Sequence, residues 1–96
     1  MKVKQEQLFD NIVSHITKYG AKKVAVFGSY ARGEEKPKSD IDILVEFSER
    51  KSLLEHVKIE RELSEALGIK VDLLTEKAIS PYLIDRIRNE MKVIYQ

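Results

Sequence analysis

Apolar residues recur about one helical turn apart at Leu8, Ile12, Ile16 and Tyr19, with Phe9 and Val13 widening the stripe. Polar side chains fill the opposite face and Gly20 follows. The spacing predicts an amphipathic helix that packs on one side and stops at a glycine. The period then changes. Lys22 to Phe27 is a short run rich in valine and alanine that ends at Gly28, the pattern of a strand buried on both faces. The next six residues, Gly28-Ser29-Tyr30-Ala31-Arg32-Gly33, turn the chain, and Glu34 to Lys38 is a charged loop containing a proline. Asp40 to Phe47 alternates as a second strand, with Ile41, Ile43 and Val45 on one side and Asp40, Asp42 and Leu44 on the other.

Helical spacing returns at Leu53, Val57, Leu63 and Leu67, and Gly68 ends that segment as Gly20 ended the first. Lys70 to Thr75 reads as a third strand, Val71 and Leu73 alternating with Asp72 and Leu74. Ser80-Pro81 is an N-cap followed by proline at the first helical position. Leu83, Ile84, Ile87 and Met91 then give the last helix its buried face, and Lys92 to Gln96 reads as a short edge strand. Strands interspersed with helices predict an α+β sandwich, a small mixed sheet covered by helices.

Ninety-six residues suffice for one core, so residues 1–96 are read as a single domain. Seventeen basic and sixteen acidic side chains give a net charge of +1. That balance argues against a general nucleic-acid or membrane-surface binder, which would carry a basic excess. It does not argue against a nucleotide or a protein partner. There are no cysteines, so disulfides and thiolate metal sites are excluded. The N-terminal residues precede no long apolar stretch, and a cytoplasmic protein is the expectation.

The chemistry concentrates at two strand ends. Asp40 and Asp42 are two apart on a strand, so their carboxylates project from one face and repel each other. A divalent cation relieves that repulsion, and a few hard oxygen ligands on a rigid strand leave room for water and phosphate, as Mg²⁺ prefers at nucleotide sites. Asp72, the carboxylate of the third strand, would join them if the strands are neighbours, and three carboxylates could hold two ions. The Gly28-Ser29 pair supplies the other half. Glycine lets a ligand approach the backbone, a helix starting there would offer free N–H groups, and Ser29 adds a hydroxyl donor.

Gly28-Ser29, ten residues, then Asp40-Ile41-Asp42 resembles the signature of the minimal nucleotidyltransferase (MNT) family of the DNA polymerase beta superfamily. Lys70-Val71-Asp72-Leu73-Leu74 resembles that family's strand bearing a third carboxylate. The resemblance implies a polymerase-beta-like nucleotidyltransferase fold, with Gly28, Ser29 and Arg32 on the nucleotide and Asp40, Asp42 and Asp72 as catalytic metal ligands, normally for two Mg²⁺ ions. It implies attack of a hydroxyl on the α-phosphorus of ATP or another nucleoside triphosphate, with release of pyrophosphate. Larger members of the superfamily carry a helical domain that binds the acceptor; these residues leave no room for one. MNT proteins are commonly paired with a HEPN toxin, which implies that this chain is an antitoxin adenylylating a tyrosine of such a partner. The alternatives are an antitoxin that works by binding alone, and transfer to a small molecule or an RNA end. The second of these should need a basic track that the charge balance does not suggest.

Arg32 has two readings, a phosphate contact or a tie between the turn and the sheet. Lys36 and Lys38 are read as a solvated loop beside the site. His15 and His56 have no ligand-spaced partners and are read as packing or surface residues. Tyr30, Tyr82 and Tyr95 are read as packing residues.

Overall fold

The computed structural model describes residues 4–36 and 39–96; Lys38 lies outside the described residues. Helix α1 (Lys4–Ile16) continues through a 3₁₀ turn at Thr17–Tyr19 into β1 (Ala21–Phe27), the single-turn helix α2 (Ser29–Arg32) and β2 (Ile41–Phe47). Then follow α3 (Leu53–Leu67), β3 (Val71–Leu74), a 3₁₀ turn at Glu76–Ala78, α4 (Pro81–Glu90) and β4 (Lys92–Tyr95). The sheet runs β3-β2-β1-β4, with β1 antiparallel to both β2 and β4, and β2 parallel to β3 through the α3 crossover. It is the mixed, helix-covered α+β sheet that the pattern predicts.

Alternation divides the core between the two faces. Val24 and Val26, Ile41, Ile43 and Val45, and Val71 and Leu73 point to one side, where Phe9, Ile12 and Ile16 of α1 and Ile59 and Leu63 of α3 cover them. On the other face Ala25, Phe27 and Leu44 form a smaller cluster, with Leu74, Ile79, Ile87 and Met91 packed against it. That second face begins with Asp42 and Asp72. The side chain preceding Leu44 on this face of β2 is Asp42, and the one preceding Leu74 on β3 is Asp72, because strand side chains alternate with period two.

The predicted face of α3 requires correction. Leu53 is 78% exposed and Val57 50% exposed, as is the neighbouring Leu54 at 83%. The buried seam is Ile59 and Leu63, with Leu67 partly buried. Beside that seam runs a polar stripe of residues four apart, which turns to the open edge of β3. Ser64 Oγ accepts from Val71 N–H at 2.9 Å, Glu60 Oε2 accepts from Leu73 N–H at 2.8 Å, and His56 Nε2 lies 2.6 Å from the Leu73 carbonyl. A carbonyl can only accept, so Nε2 carries the proton. The helix thus replaces a missing neighbouring strand and closes an edge that would otherwise be exposed. Ser52 starts α3 with a reciprocal capping box to Glu55, which frees its first turn from any need to pack.

The last helix departs in the same direction. Ser80 caps it and Pro81 opens it as predicted, and Ile87 and Met91 meet the second cluster. Leu83, however, is 50% exposed and Tyr82 is 94% exposed, so neither serves the packing role assigned from sequence. Tyr95 is also exposed, whereas Tyr30 is buried in the main core as predicted.

Candidate active site

The parallel register sets Asp42 beside Asp72 on adjacent strands, with the two side chains close enough to act on each other. A carboxyl placed beside another carboxylate resists ionisation. The Asp42 carboxyl is accordingly pushed up to about 6, first by burial, then by Asp72 and by the charge of Asp40. Arg32 acts in the opposite sense. The geometry inferred from sequence holds for Asp42 and Asp72, which lie together, but the strand begins at Ile41 and not at Asp40.

Asp40 is placed differently, although its charge acts on Asp42. It precedes β2 rather than lying within it, and its Oδ2 is 3.8 Å from Lys70 Nζ. Among the described residues no three His, Cys, Asp or Glu side chains are gathered as a metal cluster. The donor chemistry nevertheless suits a hard cation. Asp42 presents, beside Asp72, a hard oxygen ligand whose ionisation a positive charge at the pair would favour.

Gly28 closes the site from the end of β1. Its backbone has φ 75° and ψ −149°, a conformation essentially reserved for glycine. A Cβ there would stand 2.3 Å from Asp42 Oδ2. The group brought close to the backbone is thus the protein's own carboxylate, a use of glycine that the ligand-approach reading from sequence did not include. Nor is the Gly28 N–H free for a ligand, because it donates to Glu90 Oε1 at 3.3 Å. The helix expected after the glycine is a single turn whose third and fourth N–H groups, of Ala31 and Arg32, return to the Gly28 carbonyl. Its dipole is correspondingly small, and the contribution of the turn rests on Ser29. Buried Tyr30 anchors the turn from below, and its carbonyl accepts from Gln5 Nε2 at 2.8 Å.

Arg32 is tied down, though not to the sheet. Its Nη1 donates to Glu90 Oε1 at 3.2 Å and its Nε to Glu34 Oε2 at 3.3 Å. Glu90 is the residue that sequence reasoning missed. It lies 62 positions from Gly28 and no local motif marks it. Lys36 is exposed, as expected of a solvated loop. Farther along the same sheet face a groove of about 710 Å³ opens over Ala25, Leu44 and Leu74, rimmed by Leu53, His56 and Lys77. Its lining stops short of Asp42 and Asp72, so the groove is adjacent to the carboxylates and does not contain them.

Comparison with known proteins identifies the family. Residues 9–94 match the nucleotidyltransferase domain family. A candidate protein adenylyltransferase of Methanocaldococcus jannaschii is 56% identical over 79 residues, 82% of this chain and 85% of that protein. The protein adenylyltransferase MntA of Thermococcus cleftensis is 39% identical over 74 residues, 77% of this chain and 75% of its own. Among solved structures, a candidate minimal nucleotidyltransferase superposes with a TM-score of 0.79 at 35% identity, over 94% of this chain and 95% of that one. A chain from a toxin–antitoxin crystal structure with AMP-PNP superposes at 0.82 with 24% identity, over 91% and 72% of the two chains. One from the tri-AMPylated HEPN toxin of Shewanella oneidensis with its MNT antitoxin superposes at 0.77 with 22% identity, over 95% and 71%; these last two likenesses concern the fold. Similarity of this extent, over most of the length of both partners, means that the chain belongs to the nucleotidyltransferase family, among its minimal members.

Proposed function

We propose that this chain is a Mg²⁺-dependent protein adenylyltransferase that moves AMP from ATP to a tyrosine hydroxyl of a HEPN-type toxin. The observation that carries the reading is the Asp42–Asp72 pair, set in register on one sheet face with the Gly28–Ser29 turn packed against Asp42. The 39% identical relative named as a protein adenylyltransferase supports the reaction class, and the HEPN complex of the same fold supports the kind of acceptor.

In the reaction the acceptor oxygen bonds to the α-phosphorus as the bond to the departing pyrophosphate breaks, and the hydroxyl proton is given up. Asp40, Asp42 and Asp72 would hold the metal, normally two ions when nucleotide is present. When bound, Mg²⁺ supplies charge neutralisation at the phosphates and lowers the cost of ionising the acceptor hydroxyl. Asp72, facing Asp42 across adjacent strands, would accept the proton. Ser29 would donate its hydroxyl to a phosphate oxygen, and Arg32 would add positive charge beside Asp42. Asp42 and Asp72 are rooted in strands and the turn in the core through Tyr30, so catalysis would rest on positioning and electrostatics.

Incubation with labelled ATP and Mg²⁺, alone and with a HEPN-type partner, tests the proposal. Label is expected on a tyrosine of the partner, and not with Asp42→Asn. Bound nucleotide without transfer to any acceptor would sink the enzymatic reading. An Asp42→Asn protein that still neutralised the toxin fully would replace it with inhibition by binding alone.

A further inference from the structure

The Glu90 carboxylate stands where α4 ends and β4 begins, and one of its oxygens accepts from both ends of the signature turn. Oε1 takes the Gly28 N–H at 3.3 Å and Arg32 Nη1 at 3.2 Å. Two residues later Lys92 pairs with Val26 of β1, so Glu90 enters beside the strand that ends at Gly28. Its side chain is 24% exposed, against 64% for Glu34, the other carboxylate on Arg32. Glu90 is therefore the better shielded of the two partners and the stronger anchor.

We propose that Glu90 is a positioning residue of the nucleotide site, which fixes the Gly28–Ser29 turn and the Arg32 guanidinium before nucleotide arrives. The inference rests on the reading of that turn as the nucleotide grip. A helix of four residues cannot hold itself, because its nucleation cost exceeds the return from so few hydrogen bonds. Its shape must be imposed from outside. Tyr30 pins its middle to the core, and Glu90 links its two ends. Arginine also has many rotamers, and restricting them in advance removes an entropic cost from binding.

A rival role for the same carboxylate is that of a phosphate surrogate, which would have to leave when nucleotide binds. The two roles predict opposite signs. Removing a surrogate tightens nucleotide binding, whereas removing a positioning group weakens it. Removing a group that orients a metal ligand costs about 10–100-fold in metal affinity, and a loss at the lower end of that range is expected for a group that orients a phosphate ligand.

The test is calorimetric affinity for Mg²⁺–AMP-PNP, which needs no acceptor and no turnover. Glu90→Ala is expected to weaken binding about tenfold. Glu90→Gln, which keeps an acceptor for the Gly28 N–H but loses the charge on Arg32, should fall between it and the parent protein and serves should Glu90→Ala fail to fold. In an Arg32→Ala background the effect of Glu90→Ala should shrink, because the guanidinium it places is gone; a general structural loss would persist unchanged there. Unchanged or tightened affinity in Glu90→Ala, or a full additional loss in the double variant, overturns the inference. Absence of binding by the unaltered protein would instead overturn the nucleotide-site reading itself.

Discussion

Asp42→Asn should make the metal-free protein more stable while disabling it. A carboxyl held at about 6 instead of 3.8 disfavours the ionised form by about 3 kcal/mol at most, and partial solvent exposure reduces this to about 1–2 kcal/mol. The folded state raises this pKa, so between about pH 4 and pH 6 it binds the proton more tightly than the unfolded chain does. Stability from this group is therefore lost as the pH rises through that window, and the deficit is complete above it. Asparagine removes the charge and can still donate an amide hydrogen to Asp72. For a domain of this size 1 kcal/mol moves Tm by about 4–8 °C. Thermal melts in EDTA should show Asp42→Asn about 5–10 °C above the parent protein at pH 8 and nearly level with it at pH 4. Added Mg²⁺ should narrow the gap at pH 8 by stabilising the parent protein selectively. Equal Tm values at pH 8, or a difference independent of pH, would refute the account of Asp42 as a repelled, half-buried carboxyl.

Gly28→Ala places a Cβ 2.3 Å from Asp42 Oδ2 at φ 75°; denaturant melts should show a loss of about 1–3 kcal/mol or more, and adenylyl transfer should fall with it. Glu60→Ala removes the acceptor of the Leu73 N–H and should cost about 1–3 kcal/mol, with faster amide hydrogen exchange at Leu73 than at Val24 in β1. Leu63→Ala, at a fully buried contact, should cost about 2–5 kcal/mol in urea unfolding. Leu53→Ser, ten positions nearer the start of the chain but exposed, should stay within about 0.5 kcal/mol of the parent protein.

The sequence by itself settled what depends on local chemistry and period. Alternation at Ile41, Ile43 and Val45 defined a strand with a buried side, and the same period put Asp42 on the opposite side. Ser80-Pro81 marked a helix start, and Gly20 and Gly68 ended helices at positive φ. The signature turn and its spacing to Asp40 and Asp42 identified the family before any coordinates. Leucine spacing alone could not orient α3. Leu53 and Val57 suit a packed face in an isolated helix, but the capping box at Ser52 starts the helix beyond the part of the sheet that α3 covers.

Only the tertiary structure decided which polar residues work together, because hydrogen bonds between distant segments leave no periodic trace. His56, Glu60 and Ser64 look like a solvated stripe until β3 offers them an unpaired edge. Parallel pairing of β2 with β3 turned Asp72 from a candidate into the neighbour of Asp42, and sheet closure against Asp42 gave Gly28 its reason to be glycine. Arg32 remained ambiguous in sequence since its partner, Glu90, is 58 positions away and reaches it only when β4 docks on β1. Local pattern thus specified the carboxylates and the turn, and the order of strands in the sheet brought Asp72 beside Asp42 and Gly28 against it.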